Sequence, residues 1–384
     1  MKKICVVVGS RANYSSIKSL MSAVQKHETL VLQTVVGASA ILEKYGRVER
    51  LIEKDGFRID ARFSMILEGE GLLSMTKSTG IGLMELATIF DNLKPDFVVT
   101  VGDRYETMAT TIAATYMNIP LVHTMGGEVT GTIDESIRHA TTKFAHLHFA
   151  ATEESRQRII KMGEHGENVY NLGCPRLDLV EEKLAESASL TDRIDLTTGG
   201  VGHTIDWEKP FILVSQHPVT TEFGSAEDQI LQTLLAVQEL DVQAVVLWPN
   251  SDAGSDHISK GIRKWRESHP ESKMRFYKNL SIDTYIMLMD KTICLVGNSS
   301  SGIREGAFIG TPVVNIGTRQ NQREHGANVI SCSPSSVHIK KALEDQIKHG
   351  KYLRDPIYGE GKAGSQIANI LAERTVKIQK TISY

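Results

Sequence analysis

Short apolar runs alternate with amphipathic segments along most of the chain. In the first half these runs cover residues 4–8, 31–36, 97–101, 121–123, 147–151 and 169–172, and in the second half residues 211–214, 244–247, 274–277, 293–296 and 313–316. Residues 17–26, 107–117 and 153–162 have apolar positions at helical spacing. Runs rich in valine and isoleucine are typical of parallel strands buried on both faces. The alternation predicts an α/β fold with two Rossmann-like, doubly wound parallel sheets, one in each half.

The chain between the two halves has no sustained hydrophobic period. This segment, residues 185–209, contains the turn-rich sequence TTGGVG and is followed by Pro210, as is typical of a linker between domains. A chain of 384 residues is also too long for one ordinary core. We therefore expect an N-terminal domain over residues 1–185, a C-terminal domain over residues 210–355 and a final segment over residues 356–384. A helix is predicted over residues 366–382.

Composition excludes several classes of protein. The chain is 41% hydrophobic and 23% charged, with a net charge of −3, which is globular composition without general affinity for nucleic acid or anionic membranes. The four cysteines form no CxxC pair, so neither a zinc site nor a disulfide framework is indicated. The first apolar run is too short for a signal peptide, and no run is long enough to span a membrane. We expect a cytoplasmic protein with no nucleic-acid or membrane partner.

Three carboxylates lie close together in the sequence near predicted strand ends. Asp103 and Glu128 each follow an apolar run, and Asp134 comes six residues after Glu128. Ligands bind at the carboxyl ends of parallel strands in open α/β sheets, and neighbouring carboxylates can divide acid and base roles. This stretch therefore predicts an acid/base site. The alternative is an ion-pair network, with Asp134 as a helix N-cap and Arg138 bridging to Glu135 or Asp103.

Two turns that follow predicted strands could bind phosphate. Residues 9–14, GSRANY, form a small-residue turn that carries Arg11, although a plain turn explains it equally well. Residues 297–302, GNSSSG, offer three hydroxyls and several N–H groups at a predicted helix N-terminus. Capping needs one serine only, so the second turn favours a ligand. Glu305, one turn into that helix, is placed to reach a ribose.

Other side chains follow strands of the second half. His217 comes three residues after the strand at residues 211–214, where it could donate to a phosphate, act as an acid, or serve as a structural loop residue. Arg319 and Arg323 could add positive charge or lie in a solvated loop. His139, His146 and His148 have a spacing that could suggest a metal, but His146 and His148 point to opposite faces of a strand. No metal site is expected.

Taken together, these motifs resemble the hydrolysing branch of the UDP-N-acetylglucosamine 2-epimerase family. The resemblance extends from Lys2 to about residue 330, and GGEVTGTIDESIRH followed by TRQ is its most specific part. It implies the GT-B arrangement of two Rossmann-like domains, with the active site in the interdomain cleft and the C-terminal helix packed on the first domain. It also implies a homo-oligomer, dimeric or tetrameric, that needs no cofactor. The matching segments are GSRANY, GDRYE, residues 123–164, NLGCPRLD, SQHP, PNSDAGSD, GNSSSGIRE and GTPVVNIGTRQNQRE.

The family reaction assigns roles to these positions. It converts UDP-N-acetylglucosamine and water to UDP and N-acetylmannosamine through a 2-acetamidoglucal, for sialic-acid-type sugar biosynthesis. By motif, Asp103 and Asp134 match catalytic carboxylates, and His217 matches an active-site histidine. Ser301 and Gly302 belong to the predicted phosphate loop. The residues that match nucleotide-sugar contacts are Arg11, Ser15, Arg104, Asn250, Ser299, Ser300, Glu305 and Arg319.

One position departs from the family pattern. Several relatives carry a catalytic glutamate where this chain has Met125, which cannot transfer a proton. Either Glu128 takes that role or the chemistry depends on Asp103 and Asp134. Four alternative functions stay open. The first is an epimerase of UDP-2,4-diacetamido-2,4,6-trideoxyglucose, a less polar sugar that Met125 and Met65 would suit. The others are a non-hydrolysing epimerase, a glycosyltransferase and an inactive nucleotide-sugar sensor.

Overall fold

The chain folds into two compact units, each built around its own sheet. The computed structural model describes the chain except for residues 68–71, 130–132, 187–188, 220–221, 223, 250–253, 279 and 384. Unit 1 comprises Met1–Val129, Ile133–Leu179 and Gly359–Tyr384, and unit 2 comprises Val180–Tyr358. None of the helices in the described part of the chain is long and apolar enough to cross a membrane.

Unit 1 contains a seven-stranded sheet in which every strand pair is parallel. Its order is β3-β2-β1-β4-β5-β6-β7, so the direction of winding reverses between β1 and β4. Residues of the central strands are buried on both faces, which explains their continuous apolar sequence. The strands are β1 Lys2–Val8, β2 Leu30–Gly37, β3 Ala61–Phe63, β4 Phe97–Val101, β5 Leu121–Thr124, β6 Leu147–Ala150 and β7 Val169–Asn171.

Helices cover the sheet of unit 1, and two of them differ from the prediction. The first begins at Arg11 rather than at residue 17, because the Ser10 side chain caps it by accepting a bond from the Asn13 N–H group at 3.2 Å. The last ends at Glu373, so the predicted helix over residues 366–382 is wrong beyond that point. The polar tail bonds to unit 1 instead, through Ser383 N to Gly163 O at 3.0 Å. The helices are α1 Arg11–Lys26, α2 Val48–Lys54, α3 Leu72–Leu93, α4 Tyr105–Tyr116, α5 Ile133–Phe144, α6 Glu153–Lys161, α7 Arg176–Ala185, which continues into unit 2, and the last helix, Ala363–Glu373.

Unit 2 contains a second seven-stranded sheet, in the order β14-β13-β12-β9-β10-β11-β8. All its pairs are parallel except β8, which pairs with β11 in the antiparallel direction. The prediction of two doubly wound α/β sheets is confirmed, with this antiparallel edge strand as the exception. The strands are β8 Val201–Gly202, β9 Phe211–Ser215, β10 Gln243–Leu247, β11 Met274–Tyr277, β12 Cys294–Gly297, β13 Val313–Ile316 and β14 Val329–Cys332.

The helices of unit 2 pack their apolar residues against that sheet. Trp265, Ile258 and Ile262 of α10 lie in the same core cluster as Ile212 and Val214 of β9. The region after β12, where one helix was predicted, holds two short helices that meet at Arg304. The helices are α8 Ile194–Thr197, α9 Ala226–Gln238, α10 Ser255–Ser268, α11 Ile282–Lys291, α12 Ser300–Ile303, α13 Glu305–Ile309 and α14 Ser336–His349; the last helix of unit 1, Ala363–Glu373, is α15.

Candidate active site

The predicted carboxylates of unit 1 lie at the carboxyl ends of β4 and β5. Asp103 stands between β4 and α4, and Glu128 lies four residues after β5 ends. Asp134 is in the first turn of α5 rather than at its N-cap, so the N-cap alternative is wrong. Because β4 and β5 are neighbouring parallel strands, their carboxyl ends share one edge of the sheet. This edge is where open α/β sheets bind ligands.

A buried arginine joins two segments of this cluster. Arg138 of α5 is 2% exposed. Its Nη1 donates to the carbonyl oxygen of Glu128 at 2.8 Å, and its Nη2 donates to the carboxylate of Asp103. The bridge from Arg138 to Asp103 therefore exists, whereas Glu135 lies 3.5 Å from His139 instead. Since the Asp103 side chain keeps 24% exposure, the arginine fixes a carboxylate that a ligand can still reach.

A buried histidine supports the turn that carries Asp103. His123 is fully buried, with Nε2 at 2.8 Å from Gly102 O and Nδ1 at 3.2 Å from Thr142 Oγ1. Because a carbonyl only accepts, these contacts assign the proton of neutral His123 to Nε2. Burial lowers the pKa of His123 to about 4. Gly126 leaves room for the ring, since a Cβ there would lie 2.9 Å from Nδ1.

Met125 packs into the protein. Its backbone is left-handed, with φ at 61°, and its N–H donates to Phe149 O at 2.8 Å. The side chain is 6% exposed, with Sδ 3.8 Å from the Cys174 thiol. Glu128 is also buried, at 4% exposure. Met65 lies in the core cluster at 2% exposure, so it does not support a less polar sugar site.

The Gly9 turn places two guanidinium groups near each other. Ser15 donates to Ala12 O at 3.1 Å and accepts from Nη1 of Arg176 at 3.1 Å. Partial desolvation and the nearby charge of Arg176 lower the pKa of Arg11. Arg11 opens α1 and Arg176 opens α7, and two neighbouring positive charges attract anions. Sequence reasoning missed Arg176, although it stands in the quoted segment NLGCPRLD.

The serine loop of unit 2 is a network of hydroxyl groups. Ser299 caps α12 by accepting from Ser301 N at 3.4 Å, and the Oγ atoms of these two serines are 2.8 Å apart. The hydroxyl of Tyr285, which sequence reasoning missed, lies 2.5 Å from Ser301 Oγ. Gly302 is packed so closely that a Cβ would lie 2.9 Å from Val313. Because α12 has only four residues, N–H groups and hydroxyls rather than a long helix dipole would bind an anion here.

Asn298 connects this loop to His217 and Arg319. Its side chain accepts from His217 N at 2.7 Å and donates to His217 O at 2.8 Å. Its own carbonyl accepts from Arg319 Nη1 at 3.1 Å and from Gln320 Nε2 at 2.9 Å. Burial and the charge of Arg319 lower the pKa of His217 to about 3. His217 is therefore a neutral imidazole near neutral pH, able to donate one hydrogen bond but carrying no charge.

The remaining predicted residues occupy different places. Ser300 is the first residue of α12, and Glu305 opens α13 at 3% exposure instead of lying one turn into a continuous helix. Arg104 is the N-cap residue of α4. Asn250 lies outside the described residues.

The three histidines considered as metal ligands have separate partners. His146 Nδ1 accepts from Leu121 N at 3.1 Å, whereas Nε2 of His148 lies 3.1 Å from Glu164. His139 lies beside Glu135. Within the described part of the chain, no group of three His, Cys, Asp or Glu side chains could hold a metal ion.

Comparisons with known proteins agree with the family resemblance of the sequence motifs. A family model described as UDP-N-acetylglucosamine 2-epimerase matches residues 22–372. A Legionella pneumophila protein named UDP-N,N'-diacetylbacillosamine 2-epimerase (hydrolyzing) is 34% identical over 382 residues, covering 100% of this chain and 96% of that protein. A Neisseria meningitidis serogroup B protein named UDP-N-acetylglucosamine 2-epimerase is 27% identical over 361 residues, covering 94% and 92% of the two chains.

The fold agrees with these sequence matches. A crystal structure of UDP-GlcNAc 2-epimerase from Neisseria meningitidis bound to UDP-GlcNAc matches with a TM-score of 0.82 at 18% identity, covering 97% of this chain and 100% of that one. The two Rossmann-like units therefore have the fold of UDP-GlcNAc 2-epimerase structures. The chain belongs to the UDP-N-acetylglucosamine 2-epimerase family.

Proposed function

We propose that the protein is a hydrolysing 2-epimerase of a UDP-linked 2-acetamido sugar. In this reaction a base removes the C2 proton, the anomeric C–O bond breaks, and UDP leaves with that electron pair. Water then adds its oxygen to C1 of the 2-acetamidoglucal, and a proton returns to C2 on the opposite face. The products are UDP and the free 2-epimeric sugar. The name of the relative that is 34% identical, which includes the word hydrolyzing, supports this type.

The carboxylate cluster carries the proposal. C2–H is a weak acid, so its removal needs a base held in position, and reprotonation of the glucal needs an acid. Asp103, fixed by the buried Arg138 and still 24% exposed, meets the first requirement. Asp134, in the first turn of α5, is the second group. Glu128 stays a candidate for either role, since Met125 cannot transfer a proton.

Unit 2 would bind the leaving group. UDP gains negative charge as the C–O bond breaks, and donors already in place stabilise that charge best. We assign this to the serine loop at residues 299–302, to Arg319 and to neutral His217, with Glu305 for the ribose. Arg11, Ser15 and Arg104 are the proposed contacts in unit 1. That these residues of both units act on one substrate molecule stays a prediction.

Two substrates are candidates. The first is UDP-N-acetylglucosamine, which would give N-acetylmannosamine for sialic-acid-type sugars. The second is UDP-2,4-diacetamido-2,4,6-trideoxyglucose, which the name of the Legionella pneumophila relative supports. The relative named for that diacetamido sugar is 34% identical to this chain, whereas the meningococcal relative named for UDP-N-acetylglucosamine is 27% identical.

Incubation of the protein with each UDP sugar tests the proposal. ³¹P NMR would follow free UDP, and ¹H NMR would identify the sugar. We expect UDP to appear together with the free 2-epimer, faster for one of the two substrates. Equilibration of the UDP sugars without release of UDP would indicate a non-hydrolysing epimerase. UDP release only after an acceptor is added would indicate a glycosyltransferase, and the absence of any turnover would indicate a sensor.

A further inference from the structure

A second buried carboxyl lies beside the proposed acid/base cluster, and the roles given above do not use it. Glu106 is in the first turn of α4, and its side chain is 5% exposed. Its Oε1 atom lies 3.2 Å from Nε of Arg104. Its Oε2 atom has no hydrogen-bond partner among the residues that the structure describes. Buried polar atoms normally have partners, so a carboxyl group buried here raises the question of what it does for its one charged contact, Arg104.

Glu106 lines a small cavity where the strand order of unit 1 reverses. The cavity has walls from β1, α1, β4 and α4. Gly9 closes one side of it, because a Cβ at this position would lie 2.6 Å from Glu106 Cγ. The carboxyl group therefore fits directly beneath the turn that carries Arg11. In open parallel sheets the crevice at such a reversal is where ligands bind.

Two charged side chains act on this carboxyl group. Arg104 belongs to the same turn, and Asp134 belongs to α5, which packs beside α4. The charge of Glu106 in turn raises the pKa of its neighbour Tyr105. The remaining residues that line the cavity carry no charge: Val7, Gly9, Asn13, Phe63, Thr100, Val101, Thr107 and Thr110. Burial raises the pKa of Glu106, Arg104 opposes this, and the negative charge of Asp134 adds to it.

We propose that Glu106 is a positioning residue, which holds the guanidinium of Arg104 through its Nε atom and aims it at the anionic part of the substrate. Arg104 is 44% exposed and follows Asp103 directly in the sequence, so we expect its orientation to affect how an anionic substrate approaches that carboxylate. This inference rests on the proposed function, because the aimed guanidinium needs a UDP substrate. Glu106 acts through Arg104 and does not itself contact the reacting atoms.

The protonation state of Glu106 determines which substitutions should keep Arg104 in place. A glutamine has the same shape as the neutral acid, and its amide oxygen still accepts from Arg104 Nε. Glu106→Gln should therefore keep Arg104 in place, whereas Glu106→Ala should release it. A purely structural carboxylate would behave differently, since both variants would then lose its charge and weaken the site equally.

A double-mutant cycle on UDP binding tests the inference. We expect Arg104→Ala and Glu106→Ala each to raise the Kd of UDP about 10-fold, the effect of one charge-assisted hydrogen bond. The double variant should be no weaker than Arg104→Ala alone, and Glu106→Gln should stay within about 3-fold of the wild type. The inference would be overturned if the increases in Kd of the two single variants multiplied in the double variant, or if Glu106→Ala left the Kd unchanged. Either result would leave the proposed function intact. A wild-type protein that binds no UDP would overturn both.

A stability measurement covers the case in which Glu106→Ala does not fold. The pKa of Glu106 is raised in the folded state, so the unfolded chain loses this proton first as pH rises. Wild-type stability should then fall relative to Glu106→Gln above the ordinary glutamate pKa. Thermal midpoints of the two proteins should diverge as pH rises above the ordinary glutamate pKa of 4.5, with the variant higher. Midpoints that stay parallel would show that Glu106 carries no proton in the folded protein. Glutamine would then not mimic the native side chain, and the inference would be overturned.

Discussion

The Asn298 side chain offers the sharpest test of how unit 2 places His217. Asn298 is 2% exposed, and its amide makes two hydrogen bonds to the backbone of His217, at 2.7 and 2.8 Å. Asn298→Ala removes both of these hydrogen bonds, one from a buried backbone N–H group and one from a buried backbone C=O group. Each such group costs about 1–3 kcal/mol, so the two together cost about 2–6 kcal/mol, and we expect a loss of about 3 kcal/mol, in the lower half of that range. The Asn298 carbonyl, which accepts from Arg319 and Gln320, is unchanged.

Differential scanning calorimetry measures this loss directly. For a unit of this size, about 3 kcal/mol corresponds to a decrease of about 6–12 °C in Tm. Asn321→Ala is the matched control, because Asn321 is exposed in the same unit. We also expect kcat/KM to fall at least about 10-fold, since His217 loses its support. A Tm within about 2 °C of the wild type would refute the reasoning, because the two bonds would then contribute nothing measurable.

Three further predictions concern His217, Gly297 and Glu128. The pKa of His217 falls from 6.5 to about 3 on folding, so the unfolded chain binds the proton first as pH falls. His217→Gln should consequently lose about 2 kcal/mol less stability than the wild type between pH 7.5 and pH 5, with exposed His203→Gln as the control for thermal scans. Gly297→Ala should cost about 3 kcal/mol or more in urea unfolding, because φ is 140° and a Cβ would collide with Ser215 O; Gly317→Ala, with open space, should cost much less. Glu128→Gln should abolish C2 deuterium exchange if Glu128 is the base, and near-normal exchange would remove it from that role.

Much of the fold could be predicted because the parallel strands are buried on both faces. The central strands, such as β4 at Phe97–Val101, are continuous apolar runs that periodicity detects without knowledge of their neighbours. Three strands were missed for the opposite reason. Ala61–Phe63 and Val329–Cys332 are short and partly exposed, and Val201–Gly202 has two exposed residues. Their pairing depends on the edge of a sheet that already exists, which local sequence does not report.

The candidate site was predicted less completely, because its support comes from long-range contacts. Charged residues on a helix are normally solvated, so the sequence gives no sign that Arg138 is buried at 2% exposure. Glu106 stands in the motif GDRYE, but its cavity is formed with β1 and α1, about a hundred residues earlier in the chain. The Asn298 bonds to His217 likewise join residues that are 81 positions apart. The sequence indicated the candidate segments and the bridge from Arg138 to Asp103, whereas the burial of Arg138, the cavity beside Glu106 and the Asn298 bonds required the structure.

The central claim is that Asp103 and Asp134 carry out the chemistry at C2. The most direct measurement is the rate of deuterium incorporation at C2 of the released sugar in D₂O, for the wild type, Asp103→Asn and Asp134→Asn. Asp91→Asn, which replaces an exposed aspartate of unit 1, is the control. We predict deuterium at C2 with the wild type and the control, and rates at least about 100-fold lower in the two site variants, with UDP binding and Tm checked for each. Incorporation at the wild-type rate in either site variant would contradict the account.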